Sequence, residues 1–199
     1  MRGDYHTHST LDDGKNSLEE MAAAARAAGL THFGFSGHSY CPLEEDYCIP
    51  REKLPEYLAR ARAVQAQYTG EMEVFVGLEL DLLGERPEGL DYAIGSVHTI
   101  CGGDGRHFAV DESPETARQC VEELFGGDWY RYTDAYYDQA ALLPERTGCD
   151  WIGHFDLVTK FNECAPAFDE ESPRYLRRAL EVMEHLVRSG TAFEINTGA

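Results

Sequence analysis

Basic residues are scarce in this chain of 199 residues. Lys and Arg together number 17 against 36 Asp and Glu, a formal charge of −19. That shortage excludes the broad basic surface needed to hold nucleic acid. It equally argues against docking on an anionic membrane. It does not exclude a small phosphorylated substrate, because bound divalent cations invert the local potential. Long apolar runs are missing too, so no segment reads as a membrane span. Met1-Arg2-Gly3-Asp4-Tyr5-His6 carries no apolar stretch of the secretory kind, and the expected location is the cytoplasm. The six cysteines, Cys41, Cys48, Cys101, Cys120, Cys149 and Cys164, form no C-x-x-C pair. A chain of this length has no need of disulfide staples, so free and mostly buried thiols are expected. Low-complexity segments and dividing linkers are also lacking, which predicts a single domain over 1–199.

What is present is an alternation of β-like and amphipathic helical runs, the pattern of an α/β fold with a parallel sheet and helical crossovers. Six strands are predicted: Gly3–His8, His32–His38, Glu73–Asp81, Tyr92–His98, Asp150–His154 and Ala192–Asn196. Ser17-Leu18-Glu19-Glu20 is a capping box, opening a helix that stops at Gly29. A second helix is expected over Arg51–Tyr68. Ser113-Pro114 and Ser172-Pro173 each pair an N-cap with a proline at the first helical position. These helices should end near Gly126 and Gly190. A tyrosine-rich helix is expected over Asp128–Arg146, closing at Gly148. Two long loops, Tyr40–Pro50 and Thr99–Glu112, each follow a strand ending in histidine. In α/β barrels such loops build the active site.

The histidines fall on this map in a pattern. His6 and His8 are two apart on the first strand and therefore share a face. His38, His98 and His154 end the second, fourth and fifth strands, and the third strand carries Glu79. A single histidine at a strand end is ordinarily structural. Five strand ends that each deliver a ligand-type residue are far harder to explain by packing, and imidazole with carboxylate is the ligand set of zinc, iron or manganese. Asp13 sits in Asp12-Asp13-Gly14, which reads either as an ordinary turn or as a carboxylate reaching the site from the loop after His8. His32 begins its strand at the opposite rim and has no assigned role. His107 lies in a long loop and is open to either reading, and His185 is expected to be structural.

Taken together, Asp4-Tyr5-His6-Thr7-His8-Ser9, Asp13-Gly14, Gly37-His38-Ser39, Gly77-Leu78-Glu79, Gly95-Ser96-Val97-His98 and Gly153-His154-Phe155-Asp156 resemble the polymerase and histidinol phosphatase (PHP) superfamily. Residues 91–98, 154–162 and 193–198 are most similar to its histidinol-phosphate phosphatase branch. The resemblance implies a distorted, TIM-like (β/α)7 barrel with up to three divalent metals (Zn, Mn or Fe) at the strand C-termini. It further implies that His6, His8 and Glu79 hold one metal. Glu79 would bridge to a second completed by His98 and His154, and Asp13 and His38 would bind a third. Such cations acidify a shared water and neutralise a phosphomonoester dianion, so Glu79, His98 and His154 carry the expected chemistry. The family's closing Asp-x-His strand has no counterpart in Glu194-Ile195-Asn196-Thr197-Gly198-Ala199. The expected barrel therefore lacks its last β/α unit, with low turnover and self-association through the open edge as consequences.

The leading function on this reading is hydrolysis of L-histidinol phosphate in histidine biosynthesis. Lys160, Arg106 and Arg131 are candidate phosphate contacts, with ordinary surface pairing as the bland alternative for each. A C–N hydrolase of the amidohydrolase kind also uses an H-x-H first strand, but it usually needs a carbamylated lysine where this chain offers Glu79. A PHP-fold module that binds metal without turnover is the third reading.

Overall fold

The computed structural model describes residues 2–43 and 45–196. The end of the domain expected over 1–199, at 197–199, lies outside the described residues. The fold is α/β with parallel strands. Two compact units are present, one of residues 2–94 with 147–150, the other of 95–146 with 151–196.

In the first unit β1 (Gly3–Asp4), β2 (His32–Phe35) and β3 (Glu73–Asp81) run parallel, with Gly3 opposite His32 and Phe35 opposite Val76. The start of β4 (Tyr92–Ser96) follows through Asp91, whose amide donates to the Val76 carbonyl at 2.7 Å. Helices α1 (Leu18–Ala27) and α2 (Leu54–Gln67) are the crossovers, α2 being preceded by a 3-10 turn at Arg51–Lys53. The capping box is formed as expected: Glu20 N–H donates to Ser17 Oγ, and Ser17 N–H donates to the Glu20 carboxylate. The core joins Leu18 and Ala22 of α1, Tyr57, Ala61 and Val64 of α2, and Phe33, Phe35, Val74, Val76 and Leu78 of the strands.

β3 spans Glu73–Asp81 as expected, whereas β1 and β2 are shorter than the sequence pattern suggests. Beyond Asp4 the chain stays beside β2, held by one backbone bond, Ser36 N–H to Thr7 O at 3.2 Å, and by hydroxyl groups. Thr7 N–H donates to Ser36 Oγ at 2.8 Å, and the Thr7 hydroxyl donates to Gly34 O at 2.8 Å. His6, His8 and His38 therefore lie just past the regular strands. Tyr92 secures this region from below. Its buried hydroxyl lies 2.6 Å from Tyr5 O and 2.9 Å from Phe35 O. Tyr92→Phe is expected to cost about 1–3 kcal/mol, the penalty for leaving buried carbonyls without their donor, read as a lower urea midpoint at unchanged slope.

In the second unit β7 (Trp151–Ile152) pairs in parallel with β8 (Ala192–Phe193), and Gly153 N–H donates to Gly95 O at the end of β4. The expected loop 99–112 instead contains an antiparallel hairpin, β5 (Thr99–Cys101) with β6 (His107–Ala109). Its tip carries Gly102, Gly103 and Gly105, the last with φ +87°. His107 lies opposite Cys101 in this hairpin and is exposed. Helices α3 (Pro114–Phe125) and α6 (Pro173–Arg188) start on the expected caps Ser113 and Ser172.

The helix expected over Asp128–Arg146 is divided into α4 (Trp129–Ala140) and α5 (Leu143–Thr147). Pro144 accounts for the break, having no N–H and a ring that crowds the preceding turn. Tyr132, Tyr136 and Tyr137 of α4 are core residues. Tyr137 and Tyr175 share a hydroxyl–hydroxyl hydrogen bond of 2.8 Å, and Phe155 packs edge-on to Phe193. The cysteines are free, but Cys101 and Cys164 are exposed, so burial holds for fewer of them than expected.

Candidate metal centre

The first unit gathers three imidazoles about one carboxylate. Glu79 sits on β3 with its side chain fully buried. His6 Nε2 lies 3.0 Å from Glu79 Oε2, His38 Nδ1 lies 3.1 Å from the same oxygen, and His8 Nε2 lies 3.5 Å from it. The strands fix this convergence. Glu79 N–H donates to Ser36 O and Gly37 O, and Ser39 N–H donates back to Glu79 O at 2.8 Å. Gly37 is held in turn by Tyr57, whose oxygen accepts the Gly37 N–H and donates to Gly77 O. His38 is thus clamped on both sides, with the Tyr47 ring edge-on to its imidazole.

Asp12 organises the remaining face, a part the sequence reading did not give it. Its side chain is fully buried. One oxygen accepts from Ser9 N–H at 2.7 Å; the other accepts from His38 N–H at 3.1 Å and meets His8 Nδ1 at 2.8 Å. Holding Nδ1 leaves Nε2 of His8 directed at Glu79, the arrangement by which a carboxylate orients a metal-ligating histidine. Burial pushes the Asp12 carboxyl up, but His8 and the Ser9 and His38 amides outweigh it, and the net shift is downward. The stability this group confers is present above the ordinary carboxylate value of about 4 and lost as pH falls through the lower folded value. Asp12→Asn is expected to weaken metal binding by about 10–100-fold, measured by competition with a zinc chelator.

Asp13, the expected ligand, is half-exposed and stands 3.6 Å from His8 Nδ1 and 3.8 Å from His38 Nε2. Its carboxyl is pushed up by burial first, with the charges of Asp12 and Glu79 adding and that of His8 opposing. Donor atoms of His8, His38 and Glu79, and separately of His8, Asp12 and Asp13, lie within 4.8 Å of one another. Imidazoles and carboxylates at this density, around a buried acid, fit a divalent first-row metal.

In the second unit the rings of His98 and His154 meet at a centroid distance of 5.0 Å. They do not point to opposite sides of their sheet. His154 is positioned by its neighbours: its N–H donates to Glu194 Oε1 at 2.7 Å, and its carbonyl accepts from Tyr136 OH at 3.2 Å. Glu194 is a second positioning carboxylate that sequence reasoning passed over. His98 is fixed through its carbonyl, which accepts from Val110 N–H at 2.7 Å where the hairpin returns.

The three expected phosphate contacts are placed differently from one another. Lys160 Nζ lies 3.4 Å from the Asp111 carboxylate. Arg106 is bound on the surface by Asp104 at 2.6 Å and Glu123 at 2.7 Å, so two carboxylates already neutralise it. Arg131 is exposed in the first turn of α4. His32 stacks on Phe75, and His185 is exposed on α6.

A family model described as the PHP domain matches residues 4–198. A Deinococcus radiodurans protein named "probable histidinol-phosphatase" is 34% identical over 209 aligned positions, which cover 98% of this chain and 72% of that one. The Lactococcus lactis histidinol phosphate phosphatase, whose crystal structure holds zinc, L-histidinol and phosphate, superposes with a TM-score of 0.69. It is 24% identical, over 98% of this chain and 73% of its own. The Listeria monocytogenes protein HisK superposes with a TM-score of 0.79 at 17% identity, covering 99% and 83% of the two chains.

Proposed function

This chain belongs to the PHP domain family, and from that premise we propose that it is a divalent-metal-dependent phosphatase acting on L-histidinol phosphate. The observation that carries the reading is the approach of His6, His8 and His38 to the single oxygen Glu79 Oε2, within 3.0–3.5 Å. His6, His8, His38, Glu79 and Asp13 are assigned as metal ligands. His98 and His154 are assigned the same ligand chemistry, and the family's (β/α)7 barrel is the frame to which these residues belong. When bound, the metal supplies an acidified water and positive charge to offset the phosphate.

The remaining work belongs to the chain. Glu79 contributes the buried negative charge that favours cation over proton among three imidazoles. Asp12 holds His8 in the tautomer that presents Nε2. Lys160, adjacent to the His154 loop, is the strongest candidate for a phosphate contact, and its pairing with Asp111 is open enough to exchange. Leaving-group preference follows from charge: an acidic chain is matched to a product that carries imidazole and ammonium groups.

The test is phosphate release from L-histidinol phosphate, nucleoside monophosphates and a phosphotyrosine peptide, after metal stripping and readdition of Zn²⁺ or Mn²⁺. Histidinol phosphate is expected to be preferred. A stronger preference for either rival overturns the substrate assignment. Hydrolysis of an amide in place of any phosphomonoester overturns the reaction class.

A further inference from the structure

Helix α6 carries more apolar surface than its own unit covers. Tyr175, Val182 and Leu186 are buried, and the neighbouring flank faces α4 through Arg174 with Asp128 and Asp134, and Arg178 with Asp138. On the other flank Leu176, Leu180, Met183 and Val187 are 43%, 54%, 37% and 58% exposed. Their spacing of four, three and four residues is that of a coiled-coil seam, so the four side chains form one continuous stripe. Beside it, on the side away from the buried face, stand Arg177 and Glu184. Among the described residues Glu184 pairs along the helix, with Arg188 at 2.7 Å. Among the described residues no ion-pair or side-chain hydrogen-bond partner is seen for Arg177.

We propose that this stripe is the contact through which two copies of the chain associate, with their α6 helices antiparallel about a two-fold axis between Leu180 and Met183. The spacing is self-complementary under that rotation. Leu180 meets the partner's Met183, and Leu176 meets the partner's Val187, as an isologous contact requires. The flanking charges choose both occupant and direction. Antiparallel packing sets Arg177 against the partner's Glu184 twice over, whereas parallel packing turns this flank toward the opposite one, where Ala179 and Leu186 offer no charge. Two chains of −19 repel at long range, so their contact must be locally apolar and paired, which this flank provides.

Sedimentation equilibrium of the full chain tests the proposal. The wild type is expected to dimerise reversibly. Leu180→Glu should raise the dissociation constant by roughly 100-fold or more, because it buries an unpaired charge at the centre of the contact. Arg177→Glu and Glu184→Arg should each weaken the dimer by roughly tenfold, and the double reversal should restore it, since both pairs re-form with exchanged signs. Circular dichroism and melting temperature of each variant guard against misfolding, and the charge reversals, being fully on the surface, retain the test if Leu180→Glu fails to fold. A wild type that stays monomeric at its highest soluble concentration overturns the proposal, and so does a double reversal no tighter than the singles. Monomers that co-sediment with lipid vesicles through the stripe would likewise overturn it.

Discussion

Glu79→Gln is expected to remove metal binding at the imidazole cluster and to lower histidinol-phosphate hydrolysis by about 10³-fold or more. That is what the loss of several kcal/mol of metal-supplied stabilisation amounts to. The substitution is isosteric, so the buried volume beneath His6, His8 and His38 is unchanged. What disappears is the negative charge on the oxygen all three approach. The fold itself should not suffer. A buried carboxylate is costly to desolvate, and a neutral amide in its place leaves the metal-free protein about as stable as wild type. The signature is thus a split. The melting temperature of stripped protein stays close to wild type, while the rise that zinc produces in wild type vanishes in the variant. A variant that melts far lower even without metal would show Glu79 to be a structural residue instead.

Gly14→Ala should produce the largest effect of any single methyl group near the site. A Cβ on Gly14 would lie 2.2 Å from the carbonyl carbon and oxygen of His8 and 2.4 Å from the Ser9 nitrogen. These are backbone atoms and cannot rotate away. The turn is also closed by Gly14 N–H donating to Ser9 O at 2.9 Å, so neither strand of it is free to shift alone. The methyl must displace His8, Ser9 or the turn carrying Asp12 and Asp13. A cost of about 3 kcal/mol is expected, the upper end of overpacking, or a fall of about 6–12 °C in melting temperature. Because His8 is a proposed metal ligand and Ser9 and the turn adjoin it, activity should fall by about 10²-fold even at temperatures where the variant is folded, as misplacement of about 1 Å does elsewhere. Gly29→Ala is the control: nothing lies within 4 Å of its Cβ position, and its penalty is the backbone strain of φ +76° alone.

The parts of this account that were legible in sequence are those carried by spacing. His6 and His8, two apart on an extended segment, had to share a face, and they do, with their rings 5.2 Å apart. Glu79 was legible because β3 is long and regular over Glu73–Asp81. Ser17, Ser113 and Ser172 marked helix starts because capping is a local contact within three residues.

What stayed hidden depends on contacts distant in sequence. Asp12 gains its role from the amide of His38, 26 residues away, and nothing in Asp12-Asp13-Gly14 alone distinguishes it from Asp13. The early end of β1 reflects Thr7 and Ser36 exchanging hydrogen bonds across 29 residues. Glu194 reaches the His154 amide across 40. Two features were local and could have been read. Pro144 interrupts an otherwise helical run, and the glycines at 102, 103 and 105 mark a hairpin tip between two short β-prone runs.

The central claim is that the histidine cluster around Glu79 is a metal site. An anomalous difference map at the zinc edge, from crystals of zinc-loaded protein, tests it most directly. The account predicts a peak about 2.0–2.2 Å from a Glu79 carboxylate oxygen and from imidazole nitrogens drawn from His6, His8 and His38. Zinc bound elsewhere, with Glu79 still in direct contact with the three histidines, would contradict it.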